Sequence, residues 1–181
     1  MKGKIMSNDV WSMDDYDPNQ EDLNVGGGVL PGFYHAQIIN HKLEPKEKGD
    51  CHNIAWEIIG TENDPKKTPM IGRKLYDYLY DYDSCKEMFK RQVRALAVAI
   101  NYWTRDMLKS AKEQGLPMPA PTFEQFEGRS CIIKVEEEEY EGKKRSKIKG
   151  FYAIDSKEAK ESGVMINAAC GSASAPNDMF D

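Results

Sequence analysis

Tyrosine occupies every second position of the stretch KLYDYLYDY, residues 74–82, and this alternation constrains the fold more than any other feature of the chain. Alternate residues of an extended strand point to the same face of a sheet. One face would therefore carry a row of phenol rings, from Tyr76, Tyr78, Tyr80 and Tyr82. The opposite face would turn Leu75 and Leu79 to the core. Asp77 also falls on this second face, which requires either a hydrogen bond at the rim or a reversal of the two faces.

The rest of the chain supplies four more strand patterns and one helix pattern. Strand-like segments cover residues 33–44, 52–60, 73–82, 129–139 and 144–154. Apolar residues between Phe89 and Met107 recur at spacings of three and four, which predicts an amphipathic helix that residues 101–104 would divide in two. The order β-β-β-α-β-β is that of the OB-fold, a five-stranded, partly open Greek-key barrel. The sequence therefore predicts a mainly β, OB-fold-like barrel with one helical segment.

Three local patterns refine this prediction. Both parities of residues 33–44 carry apolar side chains, so we expect either a β-bulge or burial on both faces. Ser84 and Glu87 have the spacing of a capping box, which would begin the helix, and Gly115 would end it. A single helical turn is expected over residues 122–128.

Charge is distributed unevenly along the chain. The net charge is −5, yet residues 1–28 carry six acids against two lysines and residues 155–181 carry five acids against two lysines. Residues 29–154 hold 21 Lys and Arg against 19 Asp and Glu. This composition predicts flexible acidic segments over 1–28 and 155–181. Between them, residues 29–154 would form one domain whose slightly basic charge suits a polyanionic ligand.

Composition and motifs argue against several classes of protein. No apolar run approaches the roughly 20 residues of a membrane span, and the start MKGKIMSNDVW lacks an apolar signal-peptide region. The four cysteines are scattered and form no CxxC pair, which predicts reduced thiols in a soluble cytoplasmic protein. No phosphate-binding glycine motif, nucleophile motif or metal-ligand spacing is present. We therefore expect neither a cofactor nor a bound metal.

Five short segments follow one another in a recognisable order. They are LPGFYHAQI (30–38), AWEII (55–59), GRKLYDYL (72–79), FEGRSCIIKVEEEEYEGKK (126–144) and IKGF (148–151). Their order and spacing resemble a family of phage-encoded proteins associated with single-stranded-DNA binding and recombination. The resemblance implies an OB-like fold, a role in phage DNA replication or recombination, and a location in the host bacterial cytoplasm.

The row of tyrosines predicts a nucleic-acid interface. Every base has a π-face, so an aromatic platform binds single strands with little regard to sequence. Tyr76, Tyr78 and Tyr80 would stack on bases, and Arg73 and Lys74 would hold phosphates. The alternative is that the tyrosines simply pack against the fold, with their hydroxyls reaching solvent.

A second basic row lies in the last predicted strand. One parity carries Arg145, Lys147, Lys149 and Phe151, and the other carries Ile148, Tyr152 and Ile154. If the apolar parity faces the core, the basic row and its aromatic ring are exposed to a nucleic acid. The alternative for residues nearest the turn is pairing with the acids at 136–139 across the hairpin. Lys147 and Lys149 are expected to lie farther from those acids and to bind phosphate.

The chain ends in SASAPNDMFD. The last four residues are Asp178, Met179, Phe180 and Asp181. They are similar to the acidic, Phe-bearing tips of bacterial and phage single-stranded-DNA-binding proteins, although the acids are few and Phe180 is not the last residue. Such a tip offers one ring for a pocket and carboxylates for a basic rim. It would recruit phage replication or recombination proteins, and the alternative is an ordinary frayed terminus.

Two other functions are open on sequence grounds. Asp77, Asp81 and Asp83 could hold Mg²⁺ in a nuclease, although no lysine or glutamate completes a recognisable nuclease pattern. The barrel and its tail could instead form a protein-only adaptor. The preferred hypothesis is a non-enzymatic protein that coats and protects single-stranded DNA. Homo-oligomerisation, and RNA in place of DNA, are left open.

Overall fold

A computed structural model describes residues 28–168 as one antiparallel sheet with helices packed against it. The strands are β1 (Gly32–Lys46), β2 (Gly49–Thr61), β3 (Lys74–Tyr82), β4 (Ser130–Tyr140) and β5 (Lys143–Tyr152). They lie in the order β3-β2-β1-β4-β5, so β3 and β5 are the edges of the sheet. The predicted mainly β architecture is confirmed.

Three α-helices occur within the described residues: α1 (Lys86–Ala99), α2 (Arg105–Gln114) and α3 (Lys157–Ser162). The predicted interruption of the long helix is confirmed, since the Thr104 hydroxyl accepts a hydrogen bond from the Met107 N–H and caps α2. Gly115 ends α2 in the left-handed conformation, as predicted. No helix in this part of the chain is long and apolar enough to cross a membrane.

The predicted capping box is wrong. A short 3-10 helix, Asp83–Cys85, precedes α1, and the residue at the helix boundary is Cys85, which makes no side-chain cap hydrogen bond. Ser84 therefore lies one residue too early to cap α1. The single turn expected near residue 123 is present as a 3-10 helix over Phe123–Phe126.

One face of the sheet and the helix α1 enclose the main core. Its largest fully buried side chains include Trp56, Tyr34 and Phe126. Leu75 and Leu79 of β3 are buried in it, with 3% and 1% of their surface exposed. The two leucines therefore fix which face of β3 points inward, as the alternation predicted.

Strand β1 shows both of the features that its mixed parity allowed, a bulge and burial on both faces. Its register against β2 shifts twice: the extra residue is Ile59 of β2 at the first shift and Ile39 of β1 at the second. The bulge at Ile39 reverses which β1 side chains point inward beyond it. Tyr34 and Ala36 are buried in the main core, while His35 between them is buried on the opposite face.

The segment after β5 is folded, so the prediction of disorder from residue 155 onward is wrong for residues 155–168. Helix α3 is capped by the Ser156 hydroxyl, and Val164 forms a β-bridge with Glu62. Ala159 and Val164 are buried against Ile132 in a second small cluster. The folded domain therefore extends beyond the predicted limit at residue 154.

Candidate nucleic-acid interface

Three tyrosines of β3 form an exposed aromatic row, called the tyrosine face below. Tyr76, Tyr78 and Tyr80 expose 56%, 45% and 42% of their surface. Tyr82 continues the row but is half-buried, and its ring lies 5.2 Å from that of Tyr80 at 48°. Because the core is closed by the leucines on the other side of the strand, these rings face solvent as predicted.

The neighbours of the tyrosine face on β2 are small. Cys51 lies opposite Tyr80, Asn53 opposite Tyr78 and Ala55 opposite Tyr76. Directly paired residues of antiparallel strands lie on the same face. Cys51 and Ala55 are themselves buried, so the exposed surface at this edge is formed by the three rings and not by the β2 side chains.

Lys42 of β1 is a residue of the candidate interface that the sequence patterns did not indicate. It pairs with Asn53, which in turn pairs with Tyr78, so the three residues form one row across the sheet. The Lys42 side chain is 71% exposed and its Nζ lies 3.7 Å from a Glu44 carboxylate oxygen. The alternation of Lys42 and Glu44 along β1 indicates that both side chains lie on one face of the strand. Only the pairing of β1 with β2 and of β2 with β3 shows that this face also carries Tyr78.

The two basic residues predicted at the start of β3 differ in their surroundings. Lys74 is exposed and lies opposite Glu57 on β2. The Arg73 guanidinium donates a hydrogen bond from Nη1 to the carbonyl oxygen of Gly28 at 2.8 Å. Arg73 therefore helps to hold the chain that enters β1, while Lys74 extends into solvent at the end of the tyrosine face.

Asp77 lies on the inner face of β3 between the two buried leucines, so the faces are not reversed. It pairs with Ile54 and is partly buried. Burial raises the pKa of the Asp77 carboxyl to about 6, against the opposing effects of the Tyr78 backbone N–H and the Lys147 charge. The two edge strands β3 and β5 contact one another, which brings the Lys147 charge within range of this carboxyl.

The prediction of which β5 side chains face the core and which face solvent is wrong beyond Lys149. A register shift between Lys134 and Val135 leaves Lys149 as an extra residue in β5. The extra residue reverses the two faces. Phe151 therefore points inward, opposite Ile133, and stacks on Trp56 with ring centroids 5.7 Å apart.

Phe151 therefore does not share a face with the basic residues of β5. The same reversal moves Tyr152 from the expected inner face to the opposite face of the sheet. It was expected on the main-core side with Ile148, but it packs in the second cluster, where its ring lies 5.8 Å from that of Phe33.

The basic residues of β5 converge on one carboxylate. Arg145 donates to Glu138 Oε2 from Nη2 at 2.8 Å and from Nε at 3.1 Å. Lys147 and Lys149 each reach Glu138 Oε1 at 3.3 Å. The prediction that both lysines lie far from the acids is wrong, because their long side chains span the distance along the hairpin.

This cluster retains excess positive charge. Hydrogen bonds from Arg145 first, and then from the two lysines, lower the pKa of Glu138 to about 2. Glu138 is therefore ionised at neutral pH, and one negative charge faces three positive ones. The Arg145 guanidinium also lies 4.5 Å from the centroid of the exposed Tyr140 ring, a cation–π contact at the tip of the hairpin.

Two of the three acids considered for a nuclease are placed for other roles. The Asp81 carboxylate pairs with Lys86 Nζ of α1 at 2.9 Å, and Asp77 is partly buried on the inner face. Within residues 28–168, no group of three or more His, Cys, Asp or Glu side chains is arranged to hold a metal ion. The proposed partner-binding residues 178–181 lie outside the described part of the chain.

No protein-family model matches the chain, and no curated protein is significantly similar to it.

Proposed function

We propose that this chain binds single-stranded DNA without sequence preference and coats it during phage DNA replication or recombination. The observation that carries the proposal is the tyrosine face: three rings exposed in a row on an edge strand, beside small neighbours. Soluble domains seldom expose several large rings together without a ligand. Stacking on successive rings binds bases of any identity, so the absence of a base-reading pattern is consistent with binding that ignores sequence.

The charged residues around the tyrosine face suit the sugar-phosphate backbone. Lys42 and Lys74 lie on its β1 side and at its end, and the basic cluster of β5 borders β3 across the gap between the two edges. A positively charged groove with aromatic rings is the usual design of sequence-independent single-strand binding. We infer that bases stack on β3 while phosphates contact Lys42, Lys74 and the β5 cluster.

We further propose that the domain is an OB-fold. The strand order, the helical segment between β3 and β4, and the contact between the edge strands support it. OB-folds bind oligonucleotides through the face of strands two and three and the loops between strands one and two and between four and five. The tyrosine face and the hairpin tip with Tyr140 and Arg145 occupy the corresponding positions.

The proposed role in phage DNA replication or recombination depends on the sequence alone. It is supported by the order of the five segments that resemble phage single-stranded-DNA-binding and recombination proteins. Recruitment of replication or recombination enzymes by Asp178, Met179, Phe180 and Asp181 is proposed from their chemistry alone. A protein-only adaptor would use the same tail, and it differs in one property: it would not bind an oligonucleotide at low salt.

Salt dependence tests the assignment of phosphate contacts. About four contacts, by Lys42, Lys74, Lys147 and Lys149, should give a log–log slope of roughly −3 for single-strand affinity against salt, since each contributes about −0.7. Fluorescence anisotropy of a labelled oligothymidine, titrated at several salt concentrations beside a duplex of the same length, measures the slope. A slope near zero would show that these lysines do not bind phosphates.

A single charge change sharpens this experiment. Glu138→Gln removes the carboxylate that Arg145, Lys147 and Lys149 share, so binding should tighten and the salt slope should steepen. Glu139→Gln is the matched control, because it removes the same charge from the neighbouring position, which points to the opposite face. Equal effects of the two substitutions would indicate a general charge effect and would place the phosphates away from the β5 cluster.

A further inference from the structure

The chain that precedes β1 is fixed at the point where β3 and β5 meet. The Val29 N–H donates to Ser146 Oγ at 3.1 Å, and the Ser146 hydroxyl donates to the Val29 carbonyl at 2.8 Å. Arg73 holds the carbonyl of Gly28 at 2.8 Å, and the Val29 side chain is buried in the main core. Residues N-terminal to Gly28 therefore start beside Lys74, at one end of the tyrosine face.

The amino acids before this point carry the two kinds of group that a single strand also offers, negative charges and flat rings. Residues 1–27 contain six acids and only two lysines, together with the aromatic residues Trp11 and Tyr16. The acids are Asp9, Asp14, Asp15, Asp17, Glu21 and Asp22. Carboxylates can pair with the lysines that would hold phosphates, and aromatic rings can pack on the tyrosines that would stack on bases.

The length of chain is sufficient for the two surfaces to meet. Trp11 lies seventeen positions before Gly28, a contour of up to roughly 60 Å at about 3.4 Å per residue. The nine residues of β3 span only about 30 Å. A segment tethered at this distance is present at an effective concentration in the millimolar range, so weak contacts suffice for substantial occupancy.

We propose that residues 9–22 occupy the tyrosine face when no nucleic acid is bound and compete with single-stranded DNA for it. The inference rests on the proposed function of that face. The acidic C-terminal residues are weaker candidates, because residues 169–181 contain only two acids, Asp178 and Asp181. Competition from a tethered segment would favour long single strands, which gain many contacts, over short ones.

The first test measures single-strand affinity of the full-length protein and of a variant lacking residues 1–22. If the segment occupies the face for most of the time, its deletion should tighten binding by about three- to tenfold at low salt, since apparent affinity scales with the free fraction. The difference should vanish at high salt. A variant with the six acids changed to amides keeps the length and rings, and should reproduce most of the gain. Unchanged or weaker binding after deletion would overturn the proposal.

The second test needs no nucleic acid, and so separates this proposal from the proposed function. Tetranitromethane nitrates exposed tyrosines. Mass spectrometry of the tryptic peptide 75–86 measures the rate of nitration at Tyr76, Tyr78 and Tyr80. These residues should react more slowly in the full-length protein than in the truncated one, independently of protein concentration. Equal rates would overturn the proposal even if DNA binds. Protection that grows with protein concentration would also overturn it, because the segment would then act between copies. Protection without any oligonucleotide binding would retain the contact and reject the proposed function.

Discussion

Replacing Tyr76, Tyr78 and Tyr80 together with alanine is expected to weaken single-strand binding by at least about 3 kcal/mol, roughly a hundredfold or more. Each base that stacks on an aromatic side chain contributes about 1–3 kcal/mol by alanine substitution, and these three rings are exposed side by side on β3. Anisotropy titration of a labelled oligothymidine measures the loss. Binding within a few-fold of that of the unsubstituted protein would show that the tyrosines do not contact the bases.

A matched substitution on the opposite face of the same strand separates binding from folding. Leu79 is 1% exposed, so Leu79→Ala should lower the free energy of unfolding by about 2–5 kcal/mol through the lost contacts and the cavity left behind. The tyrosine variant should retain a nearly unchanged Tm. If the tyrosine variant instead melts early, the rings stabilise the fold, and its weakened binding would no longer identify an interface.

Acidification is expected to destabilise the protein through His35. The His35 ring is fully buried, its Nδ1 accepts a hydrogen bond from the Asn167 N–H at 3.0 Å, and its Nε2 lies 3.0 Å from Ser130 Oγ. These partners fix a neutral ring with the proton on Nε2. Burial lowers the pKa of His35 from 6.5 to about 4.

The sign of the effect follows from where the proton binds. Between pH 6.5 and about 4 the unfolded chain takes up a proton at this position and the folded chain does not. The stability that the neutral His35 ring gives to the folded protein is therefore fully present above pH 6.5. It is lost as the pH falls towards 4, by roughly 3 kcal/mol in total. Burial also lowers the pKa of His41 and of His52, which adds to the loss.

Asp77 acts in the opposite direction, so the test must isolate His35. Burial raises the pKa of Asp77 to about 6, and its contribution to stability therefore increases as the pH falls through 6. Urea unfolding at pH 7, 5.5 and 4.5 should show a weaker pH dependence in His35→Gln than in the unsubstituted protein. Parallel pH profiles would mean that the His35 ring already accepts a proton in the folded state.

The alternation in β3 was predictable because one face of that strand is apolar and the register has no irregularity. Leu75 and Leu79 are spaced for one face and fill the core, and β3 pairs with β2 without a bulge. A two-residue period is then sufficient to place every side chain. The predicted exposure of the tyrosines followed from this alone.

The parity of β5 was not predictable, because a bulge adds a residue without a clear sequence signal. Both parities around Lys149 contain acceptable core residues, and the shift that sends Phe151 inward is defined by pairing with β4. The same limitation applies to Lys42, whose place beside Tyr78 depends on the registers of two strand pairs. Non-local pairing, which local patterns do not encode, decides both positions.

The folded segment after β5 was missed for a different reason. Only Ala159 and Val164 of this polar stretch are buried, which gives almost no periodic signal. Backbone hydrogen bonds hold it instead, from the Met165 N–H to the Thr61 carbonyl and from the Asn167 N–H to the His35 ring. Such contacts depend on the partner surface and leave little trace in composition.

The central claim, that bases stack on the tyrosine face, is tested most directly by photocrosslinking. A single-stranded oligonucleotide carrying 5-iodouracil is irradiated in complex with the full-length protein, and the crosslinked peptides are identified after tryptic digestion. We expect attachment within the peptide 75–86, at Tyr76, Tyr78 or Tyr80, and competition by unlabelled single strands but not by duplex. Crosslinks confined to other peptides, while the oligonucleotide is demonstrably bound, would contradict it.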